Sequence, residues 1–343
     1  MKENCYDVIV IGAGHAGCEA ALVSSRMGCR TLLLTISLDK VALMPCNPAI
    51  GGIGKGQLVR EIDALGGEMG RMVDSHTIHS RRANASRGPA AQSPFAIADK
   101  GQYQLNMKYL LERADNLRIR QTLISKILPK EKHLLATSTF GEEFLAKAVV
   151  ITAGTFLRGE IMYGDVTESA GRYGEISSPE LSKSMLSLGF KIGRFKMGTS
   201  PRVSARTVDP TSLEAQLPDD EPEPFSFWND SFNPERLLCH KTHSTDLTRQ
   251  IILEHMNEAP SYSGAACAIG KRYCPLIEDK VVRYPRRNRH SIFLQPEGID
   301  QSEIYLHGLS TSLRPGIQKE LVRSIPGLES AEITRPGYAV VYD

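Results

Sequence analysis

Apolar positions change period along the chain, and the changes mark out its elements. Residues 6–11 form a short, mostly apolar run that predicts a strand, residues 14–27 are Ala-rich with the apolar spacing of a helix, and residues 30–34 are again β-like. Together they predict a βαβ unit with glycines at its first turn. Residues 58–65 predict a helix stopped by Gly66-Gly67, and residues 105–114 predict another. Residues 117–150 then alternate in short segments, with turn signals at Pro129-Lys130-Glu131 and Gly141-Glu142-Glu143, which predicts a β-meander. It returns into a buried strand over residues 148–154, Ala-Val-Val-Ile-Thr-Ala-Gly. Residues 179–188 predict a helix with Pro179 in its first turn.

The texture shifts at Pro201. From there to about Pro275 the chain is irregular and polar: Pro218-Asp219-Asp220-Glu221-Pro222-Glu223-Pro224 reads as an acidic surface loop, with Trp228 just beyond it. The stretch reads as an inserted domain. Strand-like segments return at residues 291–294 and 304–306, and no internal repeat has the period of a solenoid or propeller.

Composition narrows the class. With 343 residues, 41% hydrophobic and 23% charged, the chain is an ordinary globular protein with length for two or three domains. No stretch approaches the ~18 apolar residues of a membrane span. The N-terminal apolar run meets Gly12 without a cationic start or a small-residue cleavage site, so it reads as a strand and not a signal peptide, with a cytoplasmic location expected. Seven cysteines at irregular spacing fit reduced thiols better than a disulfide framework. A net charge of +2 does not by itself argue nucleic-acid binding.

Two glycine-rich segments carry the chemistry. Gly12-Ala13-Gly14-His15-Ala16-Gly17 lies between the first strand and first helix, where three glycines serve a tight turn, room for a pyrophosphate and close helix-to-strand packing. The acid expected roughly 20 residues on, for the ribose, is missing: the second strand ends at Thr35, and Asp39 is the nearest acid. A meander returning to a Thr-Ala-Gly strand favours FAD over NAD here, by fold-level analogy. The second segment starts at Cys46 and places Gly51, Gly52, Gly54 and Gly56 within six residues, as a backbone does when it closely approaches a flat ligand or a phosphate. Cys46 is then a candidate reactive thiol; the alternative is a glycine-rich turn beside an inert cysteine.

A second cysteine lies in Gly270-Lys271-Arg272-Tyr273-Cys274-Pro275-Leu276-Ile277-Glu278-Asp279-Lys280-Val281-Val282-Arg283-Tyr284, where Lys271 and Arg272 favour thiolate at Cys274. A solvated charged loop is the competing reading. Cys5, Cys18, Cys29 and Cys267 sit in apolar or Ala-rich surroundings and are expected in the core. Cys239-His240-Lys241-Thr242-His243 has no second cluster at zinc spacing, so no metal is expected. Arg81, Arg82 and Arg87, with the Arg283 to His290 run, are candidates for a basic face that meets phosphates.

These strings carry a family resemblance. Gly-Ala-Gly-His-Ala-Gly-Cys-Glu-Ala-Ala at 12–21, Cys-Asn-Pro-Ala-Ile-Gly-Gly-Ile-Gly-Lys-Gly at 46–56 and Gly-Thr-Ser-Pro-Arg at 198–202 resemble the MnmG (GidA) family of FAD-binding tRNA uridine 5-carboxymethylaminomethyl modification enzymes. So do Arg-Tyr-Cys-Pro-Leu-Ile-Glu-Asp-Lys-Val at 272–281, Gly-Leu-Ser-Thr-Ser-Leu at 308–313 and Pro-Gly-Tyr-Ala-Val at 336–340. The resemblance implies an α/β fold, a Rossmann-type FAD-binding domain like that of two-dinucleotide flavoproteins, with a β-meander and an inserted α+β domain. The expected division is 1–200 for FAD, 201–280 for an inserted domain binding NADH, and 281–343 for a return segment.

The resemblance further implies modification of the wobble uridine of certain tRNAs, with FAD, NADH, methylene-tetrahydrofolate as carbon donor and an MnmE-type GTPase partner. A homodimer, joined to the GTPase in a heterotetramer, and no membrane contact are implied as well. Gly12 to Gly17, Ile124 and Ser178 match FAD positions, Gly270 to Tyr284 match the nicotinamide segment, and Cys46 and Cys274 match the family's two functional cysteines. Uracil C5 is a poor nucleophile until something adds at C6, and a thiolate suits that addition, so either cysteine is a candidate nucleophile or proton-transfer group. The family pattern continues beyond the position of Asp343, so a truncated member with weakened FAD binding is expected. Two other readings are a non-catalytic FAD- or tRNA-binding remnant and a flavin-dependent thiol oxidoreductase; the latter lacks a Cys-x-x-Cys partner for Cys46.

Overall fold

A computed structural model of the chain describes residues 5–264, 268–270, 275–287 and 289–343. Its first layer is a six-stranded sheet in the order Leu117–Gln121, Thr31–Thr35, Cys5–Ile11, Glu143–Ile151, His133–Ser138, Ile124–Lys130. The first four strands are parallel, and the last three form an antiparallel meander that shares Glu143–Ile151 with the parallel part. This is a Rossmann-type α/β fold, as the period changes predict. One strand differs from expectation: Leu117–Gln121 lies outside the meander and pairs in parallel with Thr31–Thr35, from Thr31 against Leu117 to Thr35 against Gln121. Alternation in sequence shows that one strand face is covered, but it carries no sign of the partner's direction.

Side-chain alternation sorts the central strands into two cores. Val10 and Leu33 face helix His15–Arg26 and helix Lys100–Arg113, packing with Cys18, Leu22, Tyr103, Met107 and Leu111. Ile9, Ile11, Leu32 and Leu34 face the other way, against Phe144, Ala146 and Leu181. Helix Lys100–Arg113 starts earlier than its apolar spacing predicts, because Asp99 caps it: its Oδ1 accepts from the Gln102 N–H at 2.9 Å. The short helix Met69–Ser75 had no sequence signal.

The second layer is a six-stranded antiparallel sheet in the order Glu214–Gln216, Cys239–His243, Ser291–Pro296, Glu303–His307, Arg202–Ser204, Ile333–Arg335. Ile251, Ile252, Ile277, Val281, Leu321 and Val322, from three helices, cover Val203, Ile292, Leu294 and Leu306. The six strands come from both sides of residue 280. Ala339–Tyr342 crosses back between Glu160–Tyr163 and Phe195–Gly198 in a bridging sheet, which brings the layers together.

The acidic loop also returns to the first layer. Asp74 accepts from the N–H groups of Phe225 (2.8 Å) and Ser226 (2.9 Å), Asp63 accepts from that of Phe227 (2.8 Å), and Phe225 is buried in the first core. Residues 201–275 are therefore not one self-contained insertion.

Candidate active site

The turn after strand Cys5–Ile11 is built by contacts that only glycine tolerates. Gly12 has φ +104°, and a Cβ there would lie 2.5 Å from the Thr152 carbonyl oxygen. At Gly17 a Cβ would lie 1.7 Å from the Gly12 carbonyl oxygen. The Thr152 hydroxyl ties the turn down by donating to the carbonyls of Ile11 (3.0 Å) and Gly12 (2.9 Å). Gly14 differs, since a Cβ there meets nothing within 4 Å and its open side lines a groove. The helix beginning at His15 has no side-chain cap, so the free N–H groups and positive dipole end of its first turn remain for an anion in that groove.

The groove, about 970 Å³ with the solvent at its mouth, gathers Gly12, Ala13, Gly14 and His15 with Ile124 and Ser178. Ile124 and Ser178 touch, the Ser178 hydroxyl donating to the Ile124 carbonyl at 3.2 Å. Ala16 is exposed beside the groove and Gly17 is buried beneath the turn. Thr35 lines the groove, whereas the Asp39 side chain points to solvent, 3.8 Å from Lys108 Nζ. Lys40 and Arg172 supply positive charge. Arg172 pairs with Glu175 at 3.0 Å and lies 5.1 Å from the centre of the Phe156 ring, and its buried Nε has no hydrogen-bond partner.

His15 adds no charge. Burial, and then the nearby Arg172, hold its imidazole down at about 4. The unfolded chain therefore binds more protons between about pH 4 and the ordinary value of 6.5, and His15 makes stability fall as pH drops through that window. His15→Gln is expected to flatten the fall in denaturant-unfolding stability over this range, and an unchanged slope would acquit His15.

The Cys46 loop borders this groove through Leu43 and Pro45, and the groove runs into a second cavity, about 1270 Å³ with the solvent at its mouth, that shares Lys40, Leu43, Pro45 and Arg172 with it. The half-buried Cys46 thiol lies 3.1 Å from the Tyr305 hydroxyl and 3.8 Å from the Gly198 carbonyl. Arg202 donates through Nη2 to the carbonyls of Cys46 (2.7 Å) and Pro45 (3.1 Å) and through Nε to Glu297 at 2.6 Å. Lys100 pairs with the same carboxylate, and all three charged groups are buried.

A family model described as "Glucose inhibited division protein A" matches residues 7–343. The chain belongs to the GidA family. It is 49% identical, over its whole length, to a Streptococcus suis protein named tRNA uridine 5-carboxymethylaminomethyl modification enzyme MnmG, and 50% identical over 98% of its length to the Geobacillus thermodenitrificans protein of that name. It covers 54% of each, and so spans about half the length of these relatives. A solved structure of Aquifex aeolicus GidA superposes with a TM-score of 0.91 at 44% identity, covering 99% of this chain and 55% of that one.

Within this GidA-family chain the glycines after Cys46 divide. A Cβ at Gly51 would lie 2.3 Å from the Pro94 carbonyl oxygen and 2.7 Å from the Phe225 ring, and one at Gly56 would lie 2.3 Å from Ser93 Oγ. These two permit packing against a neighbouring strand, not approach to a ligand. Gly54 alone of the four has φ +68° and nothing within 4 Å of a Cβ. Cys274, with Lys271, Arg272 and Tyr273, lies outside the described residues. Of the rest of that segment, Leu276, Ile277, Glu278 and Val281 are buried. Glu278 accepts from the Thr311 hydroxyl (2.7 Å) and the Ser312 N–H (2.9 Å). Pro275, Asp279, Lys280, Arg283 and Tyr284 line a small cavity with Arg287 and His290, Val282 is exposed, and Gly270 is exposed on a two-residue strand.

Cys18 is buried, and burial pushes its thiol up to about 12; Cys5 and Cys29 are only partly buried, and Cys267 lies outside the described residues. Arg82 does not stand free for phosphates: it pairs with Glu223 and its N–H donates to Asp219 at 2.6 Å, while Arg81 meets Gln216. Among the described residues no cluster could hold a metal ion, and no helix is long and apolar enough to cross a membrane. No local feature of the sequence marks Tyr305, Glu297, Lys100, Lys40 or Arg172, and Arg202 is marked only by its place in Gly-Thr-Ser-Pro-Arg.

Proposed function

We propose that this chain carries the FAD-binding part of an enzyme that adds a carboxymethylaminomethyl group at C5 of the tRNA wobble uridine. NADH, methylene-tetrahydrofolate and an MnmE-type GTPase partner, with assembly as a homodimer in the cytoplasm, belong to the same proposal. The observation that carries it is identity near one half along essentially the whole chain to proteins named for that reaction.

The residues present fit a dinucleotide. Gly14 leaves the space a pyrophosphate needs, the uncapped helix end offers N–H donors, and Arg172 and Lys40 bring positive charge to the groove. Bound FAD supplies the redox chemistry. The chain's own contribution is nucleophilic and positional: the Cys46 thiolate adds at uracil C6, forming an S–C6 bond and moving an electron pair to C5, which bonds the electrophilic one-carbon unit; loss of the C5 proton to a base then restores the C5–C6 double bond and expels the thiolate. Arg202 fixes the two carbonyls that bracket this cysteine's backbone.

Titrating FAD into the purified chain is expected to give saturable quenching of flavin fluorescence, and no saturable binding would overturn the cofactor assignment. In a full-length relative assayed with its GTPase, the substitution equivalent to Cys46→Ser is expected to abolish the modified nucleoside in digested tRNA. Full retention would remove Cys46 from the chemistry.

A further inference from the structure

We propose that Tyr305 is the positioning residue that readies Cys46 for attack, by donating its phenolic hydrogen to the sulfur. This rests on the reading of Cys46 as the nucleophile. The direction of the hydrogen bond follows from the donors and acceptors present. The Ser200 N–H donates to the Tyr305 oxygen at 3.2 Å, and the thiol hydrogen has the Gly198 carbonyl as acceptor at 3.8 Å, which leaves the phenolic hydrogen for Sγ at 3.1 Å. When the thiol proton leaves to water, that bond becomes charge-assisted and strengthens, which favours the thiolate.

The surroundings push the same way. Arg202 lies 5.2 Å from the centre of the Tyr305 ring, where its charge polarises the ring and makes the phenol a better donor. The charged and titratable groups packed around the pair are Arg202, Glu297, Lys100, Tyr338 and His307, whose ring centre lies 6.4 Å from that of Tyr305 and which burial keeps neutral, that is, two cations against one carboxylate, a neutral phenol and a neutral imidazole. Tyr305 is 1% exposed, so water does not compete for its hydroxyl, and the neighbouring Arg202 holds both carbonyls that set where the Cys46 sulfur points.

The test is the pH dependence of Cys46 alkylation in this chain, followed by peptide mass spectrometry, with the part-buried Cys5 and Cys29 as internal controls and the buried Cys18 and Cys239 as reporters of an intact fold. Tyr305→Phe is expected to raise the Cys46 midpoint by about one pH unit, a tenfold loss of reactivity below the midpoint, with Cys5 and Cys29 unmoved. If Tyr305→Phe exposes Cys18 and Cys239, difluorotyrosine at position 305 decides instead: a stronger donor should lower the midpoint. A midpoint that neither change moves overturns the assignment. Retained tRNA modification by the Cys46→Ser enzyme would sink the nucleophile reading and leave this titration intact, so the two failures are distinguishable.

Discussion

Gly17→Ala is expected to destabilise the protein by about 3 kcal/mol or more and to abolish FAD binding. Alanine in a helix interior is ordinarily favoured over glycine by roughly 1 kcal/mol, so helix propensity alone would give the opposite sign. The difference lies in space. The added Cβ would sit 1.7 Å from the Gly12 carbonyl oxygen and 2.8 Å from the Thr152 hydroxyl, both fixed in the turn, so helix His15–Arg26 must move off the sheet. That shift would drag the free N–H groups of the first turn away from the groove. Gly14→Ala is the companion variant: its Cβ meets no protein atom within 4 Å and fills only groove space, so stability should hold while FAD affinity falls. Urea unfolding and flavin-fluorescence titration of both proteins separate close packing from ligand approach. If Gly17→Ala unfolds like the parent, the close helix-to-strand contact is not what the turn depends on.

The parts of this architecture legible in the sequence are those encoded by neighbours in the chain. The βαβ unit was readable because the switch of hydrophobic period coincides with Gly12 to Gly17, and the meander because its turns carry Pro129 and Gly141. Strand Leu117–Gln121 reads as the start of the meander but pairs in parallel with Thr31–Thr35, since its alternation says nothing about whether its partner runs parallel. The return of the acidic loop was hidden because Asp63 and Asp74 bind backbone N–H groups, which leave no mark on residue type at 225–227. The same limit applied at Cys46. Its glycines are visible, but two of them serve Pro94, Phe225 and Ser93, while Tyr305, which meets the thiol, and Arg202 and Glu297, which hold its backbone in place, come from far along the chain. A tyrosine in a strand of the second sheet, or a glutamate just past the end of one, has no local feature that points to a cysteine in the first layer.

Glu297→Ala is expected to cost about 3–5 kcal/mol, as large an effect as any side-chain truncation here, and to loosen the Cys46 loop. Glu297 is wholly buried and is the shared partner of Arg202 and Lys100, themselves almost wholly buried. Its loss strands two cations away from water. Arg202 stays charged at any working pH, so it must reorganise, and in doing so it releases the Pro45 and Cys46 carbonyls it now holds. Lys100 has another escape, because burial already lowers its tendency to hold a proton and Glu297 is the group that opposes this. Without that carboxylate the folded-state pKa of Lys100 drops further below the ordinary lysine value of 10.5, and the unfolded chain then binds the extra proton throughout the gap. Stability of Glu297→Ala should therefore recover as pH rises toward that value, more steeply than in the parent. Glu297→Gln keeps hydrogen-bond acceptance without charge and should fall between the two. Denaturant unfolding from neutral to alkaline pH measures both effects, and Cys46 alkylation reads the loop. A loss under about 1 kcal/mol with no added pH slope would mean that the two cations do not depend on Glu297.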